Sequence, residues 1–88
     1  MFLSLIFMEW NDISFIISSK YRKIVLENVK THKTPTMISK ELKIQRAHVS
    51  RALIELGKEK LVECLTPNKR KGRLYIITKK GREILKKL

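Results

Sequence analysis

The spacing of apolar side chains changes twice along this chain. Over residues 18–30, SSKYRKIVLENVK, Tyr21, Ile24, Val25 and Val29 recur at helical spacing, with Leu26 at the edge of the stripe. This predicts a helix capped by Ser18 or Ser19, with an earlier start near Ile13 also open. THKTPT interrupts the period, because a residue before proline is driven out of the helical region. A second helix is predicted over 36–43, with Thr36 as its cap and Ile38 and Leu42 four apart on one face. A third follows over 45–58, its apolar face made by Val49, Ala52, Leu53 and Leu56. Only a short turn around Lys43 and Ile44 separates these two helices, so they must cross steeply. That is a helix-turn-helix, in which the second helix enters the major groove of DNA.

Past Gly57 the period falls to two. LVECL (61–65) and RLYIIT (73–78) read as strands, and the stretch between them is a hairpin loop too long for a two-residue turn. Gly72 is available there for a positive φ. A last short helix is predicted after a Thr78 cap, presenting Ile84, Leu85 and Leu88. The fold class is α+β, mostly α: a winged helix-turn-helix with a three-helix core, a two-stranded β-hairpin wing, a short C-terminal helix and an apolar N-terminal helical segment. Two regions are expected, 1–17 as the N-terminal segment and 18–88 as the winged helix.

Charge adds a function class. The chain has 88 residues, one domain by length, with 20 Lys and Arg against 8 Asp and Glu, a net +12. Such a charge favours a polyanion as partner. Residues 1–17 hold Glu9 and Asp12 and no Lys or Arg, so they carry −2 and the remainder carries +14. The hairpin loop crowds Lys69, Arg70, Lys71 and Arg73 around Pro67, Asn68 and Gly72. These cations repel one another in the free protein. On DNA each would meet a phosphate and release counterions, which makes the loop a wing at 66–73 on the backbone or minor groove. A solvated, solubilising turn is the plainer alternative.

On the third helix Gln45, Arg46, His48, Ser50 and Arg51 lie off the apolar face and are the candidates for DNA contact. Arginine pairs bidentately with guanine and glutamine with adenine. Thr36 and Lys40 on the second helix are candidates for holding a phosphate at a helix N-terminus. Lys79, Lys80 and Arg82 would extend the basic surface. Glu27, Glu41, Glu55, Glu59, Glu63 and Glu83 read as solubilising partners for lysine.

The chemistry of catalysis is missing. No nucleophile–base pairing, no carboxylate pair at useful spacing and no Gly-rich phosphate loop occurs, so no enzyme is expected, nor any metal or cofactor. Cys64 is the sole cysteine, which rules out an intrachain disulfide and fits a reducing, cytoplasmic setting. It shares the strand pattern of Val62 and is expected in the core.

The N-terminal MFLSLIFM is apolar apart from Ser4. It lacks a basic flank and a cleavage site, and it is too short to span a bilayer. Two readings are open: a helix packing on the domain or on a second copy, or an upstream start codon with Met8 as the true start. Phe7, Trp10, Ile13, Phe15, Ile16 and Ile17 make this segment a homodimerisation surface in the first reading.

ISKELKIQRAHVSRALIELGKEKLVECL, the basic hairpin and YIITKKGREIL resemble the winged-helix transcriptional regulators of the MarR and ArsR type, small archaeal members in particular. The resemblance covers about residues 18–88, and VSRAL, LVE and ITKKG are its most specific pieces. It implies a third helix reading the major groove, a wing on the backbone or minor groove, and homodimers on near-palindromic double-stranded DNA. The chain departs from the pattern at Lys43, where glycine is common, and at Lys60, where glycine usually precedes the first wing strand. A different shape is therefore expected over 57–60. Two other functions stay open: an architectural or chromatin protein, and a winged-helix module for an acidic protein partner. Membrane association is a distant third.

Overall fold

The computed structural model describes residues 11–88. Phe7, Met8, Trp10 and the rest of the apolar N-terminal run lie outside the described residues. Residues 11–17 are helical and are called α1. The helices α2 (Lys20–Asn28), α3 (Pro35–Leu42) and α4 (Arg46–Lys58) follow, then β1 (Val62–Cys64), β2 (Tyr75–Ile77) and α5 (Lys79–Lys86). The architecture is the expected winged helix, with a two-stranded antiparallel sheet beside a helical core. No described helix is long and apolar enough to cross a membrane.

Helix boundaries show where local chemistry overrides periodicity. The first predicted helix is split, because Ser18 and Ser19 leave the helical path and Ser19 adopts an extended backbone. Neither serine caps α2: Ser19 holds the N-cap position without a side-chain bond, and the Ser18 hydroxyl donates back to the Phe15 carbonyl. The cap of α3 is Thr34, which accepts from the Met37 amide, and not Thr36. Proline decides this. Pro35 has no N–H and a fixed φ, so it suits the first helical position and shifts the cap to the residue before it.

The turn between α3 and α4 is three residues long. Lys43 takes a left-handed backbone at φ 56°. Ser39 closes the turn twice, its carbonyl accepting from the Ile44 amide and its hydroxyl donating to the Ile44 carbonyl. The predicted face of α4 is buried entire: Val49, Ala52, Leu53 and Leu56. They pack with Val25 and Leu26 of α2, Val29 just after it, Ile38 of α3 and Ile84 of α5. Leu26 is thus a core residue and not an edge residue. Ile16 of α1 is also fully buried, and Ile13 and Phe15 pack against the same core.

Both strands are shorter than predicted. The register pairs Val62 with Ile77 and Cys64 with Tyr75. One further bond, from the Leu65 amide to the Leu74 carbonyl, extends the ladder before the Thr66 hydroxyl takes the Leu74 amide and the strands part into the wing. Lys33 pairs with Tyr75 through bonds in both directions, adding a third line of backbone to the hairpin's base. Lys60, two residues before β1, takes a left-handed backbone at φ 60°, while Gly57 is helical.

Thr78 caps α5 by accepting from the Gly81 amide and anchors it by donating to the Lys60 carbonyl. Leu88, expected on the apolar face of this helix, is exposed. Cys64 is half-buried, unlike the core residue expected, and lies toward the wing end of β1 from Val62, lining an open groove.

Candidate nucleic-acid interface

A groove of about 630 Å³ opens between α3, α4 and the wing. Its walls are Pro35 and Thr36 at the start of α3, Arg46, Ser50 and Ile54 along α4, and Arg70, Lys71, Gly72 and Arg73 on the wing, with Tyr75 beneath. Helical geometry explains the α4 wall. Positions 46, 50 and 54 are spaced by four and share one side of the helix, while 49, 52, 53 and 56 face the core.

Six of the eleven site residues read from the sequence meet here: Thr36, Arg46, Ser50, Arg70, Lys71 and Arg73. Gln45 occupies the N-cap of α4, exposed, with no side-chain cap bond. Arg51 is exposed on α4 outside the groove, and Lys40 is exposed in the last turn of α3. Lys69 lies on the wing, where its carbonyl accepts from Arg73 Nε at 2.5 Å. His48 turns toward α2 and stacks on Tyr21, with ring centroids 4.6 Å apart and planes 13° from parallel.

Ile54 was missed by sequence reasoning although it is 57% exposed and lines the groove. The i, i+4 step from Arg46 through Ser50 would have found it. A second, mostly apolar groove of about 420 Å³ lies between α4 and the hairpin, with Leu53, Ile54, Cys64 and Tyr75 on its walls.

The electrostatics sharpen the contrast between the groove and the rest of the surface. Among the described residues, no carboxylate lines the groove. Among the described residues, the acids that form ion pairs do so elsewhere: Glu55 with Arg22, Glu27 with Lys23, Glu41 with Lys33 and Asp12 with Lys80. Arg46, Arg51, Arg70 and Lys71 have no ion-pair partner among those residues. Lys80 and Arg82, expected to extend the basic surface, are tied down instead. Lys80 donates to the Glu59 carbonyl as well as pairing with Asp12, and Arg82 donates to the Lys30 carbonyl.

Two framework residues also escaped the sequence. Arg22 pairs with Glu55 of α4, donates to the Phe15 carbonyl at 2.7 Å and lies over the Phe15 ring. It therefore joins α4 to the α1–α2 junction, so Glu55 is more than a solubilising acid. Lys33 bonds Glu41 of α3 and Asn28 of α2 while its backbone pairs with the wing strand. That bond from Lys33 holds the Glu41 carboxyl below its ordinary range, with a further lowering from Asn28 and the charge of Lys33, partly opposed by desolvation. Among the described residues no group of three or more His, Cys, Asp or Glu is placed to hold a metal ion.

No family model and no curated protein matches this chain. Solved structures do. A MarR family transcription regulator is 24% identical with TM-score 0.68, over 77% of this chain and 47% of its own. A cysteine-to-serine mutant of Lactococcus lactis ZitR is 25% identical with TM-score 0.67, over 78% and 49%. A mutant of MarR from E. coli, complexed with operator DNA, is 24% identical with TM-score 0.69, over 96% and 68%. The chain thus spans about half the length of the first two. The shared property is the fold, a winged helix of the MarR type.

Proposed function

We propose that this chain is a sequence-specific double-stranded DNA-binding transcriptional regulator, with α4 in the major groove and the wing on the backbone or minor groove. One observation carries this reading: a groove lined by no carboxylate among the described residues gathers Arg46, Arg70, Lys71 and Arg73 from two separate elements. Thr36 and Ser50 add hydroxyl donors at the same face. The neighbours in fold include one complexed with operator DNA, which supports duplex DNA as the partner. They also favour the MarR side of the resemblance over the ArsR side. Gln45 and Arg51 are exposed at the leading end of α4 and are assigned to the same contact surface, with Lys40 and Lys69 as flanking phosphate contacts. His48 serves it by packing, since its ring is occupied by Tyr21.

The working unit in this reading is a cytoplasmic homodimer paired through the N-terminal segment. Ile17, 62% exposed at the end of α1, supports such a surface. A two-fold pair would set two recognition helices about one DNA turn, roughly 34 Å, apart. Sedimentation of the full chain should return a dimer; a monomer at all concentrations removes this part of the reading.

Duplex binding is tested by fluorescence anisotropy across a salt series, comparing the wild type with a variant carrying alanine at 69, 70, 71 and 73. Each phosphate contact contributes about −0.9 to the slope of log K against log salt. The variant should flatten that slope by about two or more. Matching slopes would sink the wing assignment and leave an acidic protein partner as the better reading.

A further inference from the structure

The four wing cations are not geometrically equivalent. Lys69, Arg70 and Lys71 are exposed side chains without an ion pair among the described residues. Arg73 instead reaches across the tip, its Nε donating to the Lys69 carbonyl. Below this bond the stem is held by Leu65 N–H to the Leu74 carbonyl at 2.7 Å, Leu74 N–H to Thr66 Oγ1 at 3.0 Å and Lys69 N–H to the Thr66 carbonyl at 3.2 Å. Above it, residues 70–72 make no hydrogen bond among the described residues, and Gly72 turns the chain at φ 68°. The Arg73–Lys69 bond is the last closure before the apex that carries Arg70 and Lys71.

We propose that Arg73 is a positioning residue: its side chain closes the wing tip so that Arg70 and Lys71 meet nucleic acid from a fixed loop, and binding needs its N–H more than its charge. This rests on the DNA-binding reading and deepens it. An open loop of adjacent like charges spreads over many conformations, and fixing each residue on binding costs conformational entropy. A loop closed beforehand has already lost that freedom, which is how preorganisation raises affinity.

Side-chain lengths supply the discriminating variants. Glutamine carries its Nε2 the same number of bonds from Cα as arginine carries Nε, so R73Q keeps a donor in place without a charge. Lysine keeps the charge but moves its nitrogen one bond further out. The variants R73Q, R73K and R73A would be measured in two ways on the full chain. The first is 15N relaxation of the Arg70, Lys71 and Gly72 amides in the free protein, which reports ps–ns order. The second is the Kd for duplex DNA.

R73Q removes one cation, so its Kd should rise, but it should keep wild-type relaxation and bind more tightly than R73K or R73A. R73K and R73A should both mobilise the apex and weaken binding about five- to tenfold, the scale of one net hydrogen bond. The proposal is overturned if R73K binds like the wild type while R73Q binds like R73A, since charge would then be what matters. Unchanged amide mobility in all three variants would overturn it equally. If relaxation follows the expected order but the wild type does not bind duplex DNA, the brace stands as a property of the free loop. The nucleic-acid reading, and Arg73's part in it, then falls.

Discussion

The two walls of the basic groove are held by opposite means. On α4, Val49, Ala52, Leu53 and Leu56 are buried in the core, and Arg46, Ser50 and Ile54 ride on the far side as passengers. The wing has no such ballast: residues 67–73 are all exposed, and its shape rests on bonds from Thr66, Lys69 and Arg73. A helix anchored by apolar packing can change its exposed residues without changing its position. A loop anchored by its own polar groups cannot, because contact and scaffold are the same atoms. Substitutions in the two walls should therefore separate stability from binding.

The largest effect is expected on the helical side. Leu53→Ala, at a residue 1% exposed, should lower unfolding free energy by about 3 kcal/mol in urea titrations. Where the variant is still folded, its affinity for duplex DNA should change less than twofold. A large loss of affinity in folded protein would show that the two walls are not separable in this way.

Gly81→Ala probes the seam where α5 meets the base of the wing. A Cβ there would lie 2.3 Å from the Leu61 carbonyl oxygen and 2.7 Å from Ile77 Cγ1. Backbone cannot yield as a side chain can, so thermal unfolding should report a loss of about 2 kcal/mol. Unaltered melting would mean that the seam is looser than its packing indicates.

Thr66→Ala is the counterpart within the wing. It strands the part-buried Leu74 amide and should cost about 1 kcal/mol of stability. Its effect on duplex affinity should exceed that of Leu53→Ala, and Thr66→Ser should restore both. Equal affinities for the two alanine variants would erase the contrast between walls.

The smallest effect concerns acid. Glu41 is held below its ordinary range by Lys33. A depressed carboxyl contributes stability above its unfolded-state value and loses it as pH falls through the folded-state value. Glu41→Gln should therefore be slightly less stable near neutrality, with a shallower decline in acid. A decline as steep as the wild type's would remove Glu41 from the account.

The same contrast governs what the sequence reveals. The α4 face was legible residue by residue, because burial on a helix imposes a period that any reader can count. The cations of the wing were legible from composition and from the strands around them. The Thr34 cap was nearly so, since a threonine stands on each side of Pro35 and only the helical preference of proline for the first position decides between them. Lys33 was not legible: its strand partner Tyr75 lies on the far side of the helix-turn-helix, and no local pattern announces the pairing. The Arg22–Glu55 bond and the His48–Tyr21 stack likewise join residues from separate helices. In the groove, Ile54 escaped because it belongs neither to the apolar face of α4 nor to the polar positions that point to a ligand.

Helix α4 is bracketed by two lysines in left-handed backbone, Lys43 before it and Lys60 after it. A non-glycine residue held there is disfavoured by roughly 1–2 kcal/mol, and glycine relieves this but brings neither a cation nor a stiffer unfolded chain. No residue type offers both an easy left-handed backbone and a positive charge. The two ends of this helix are therefore a compromise between shape and charge, and a lysine-to-glycine exchange at either one would trade the second quality for the first.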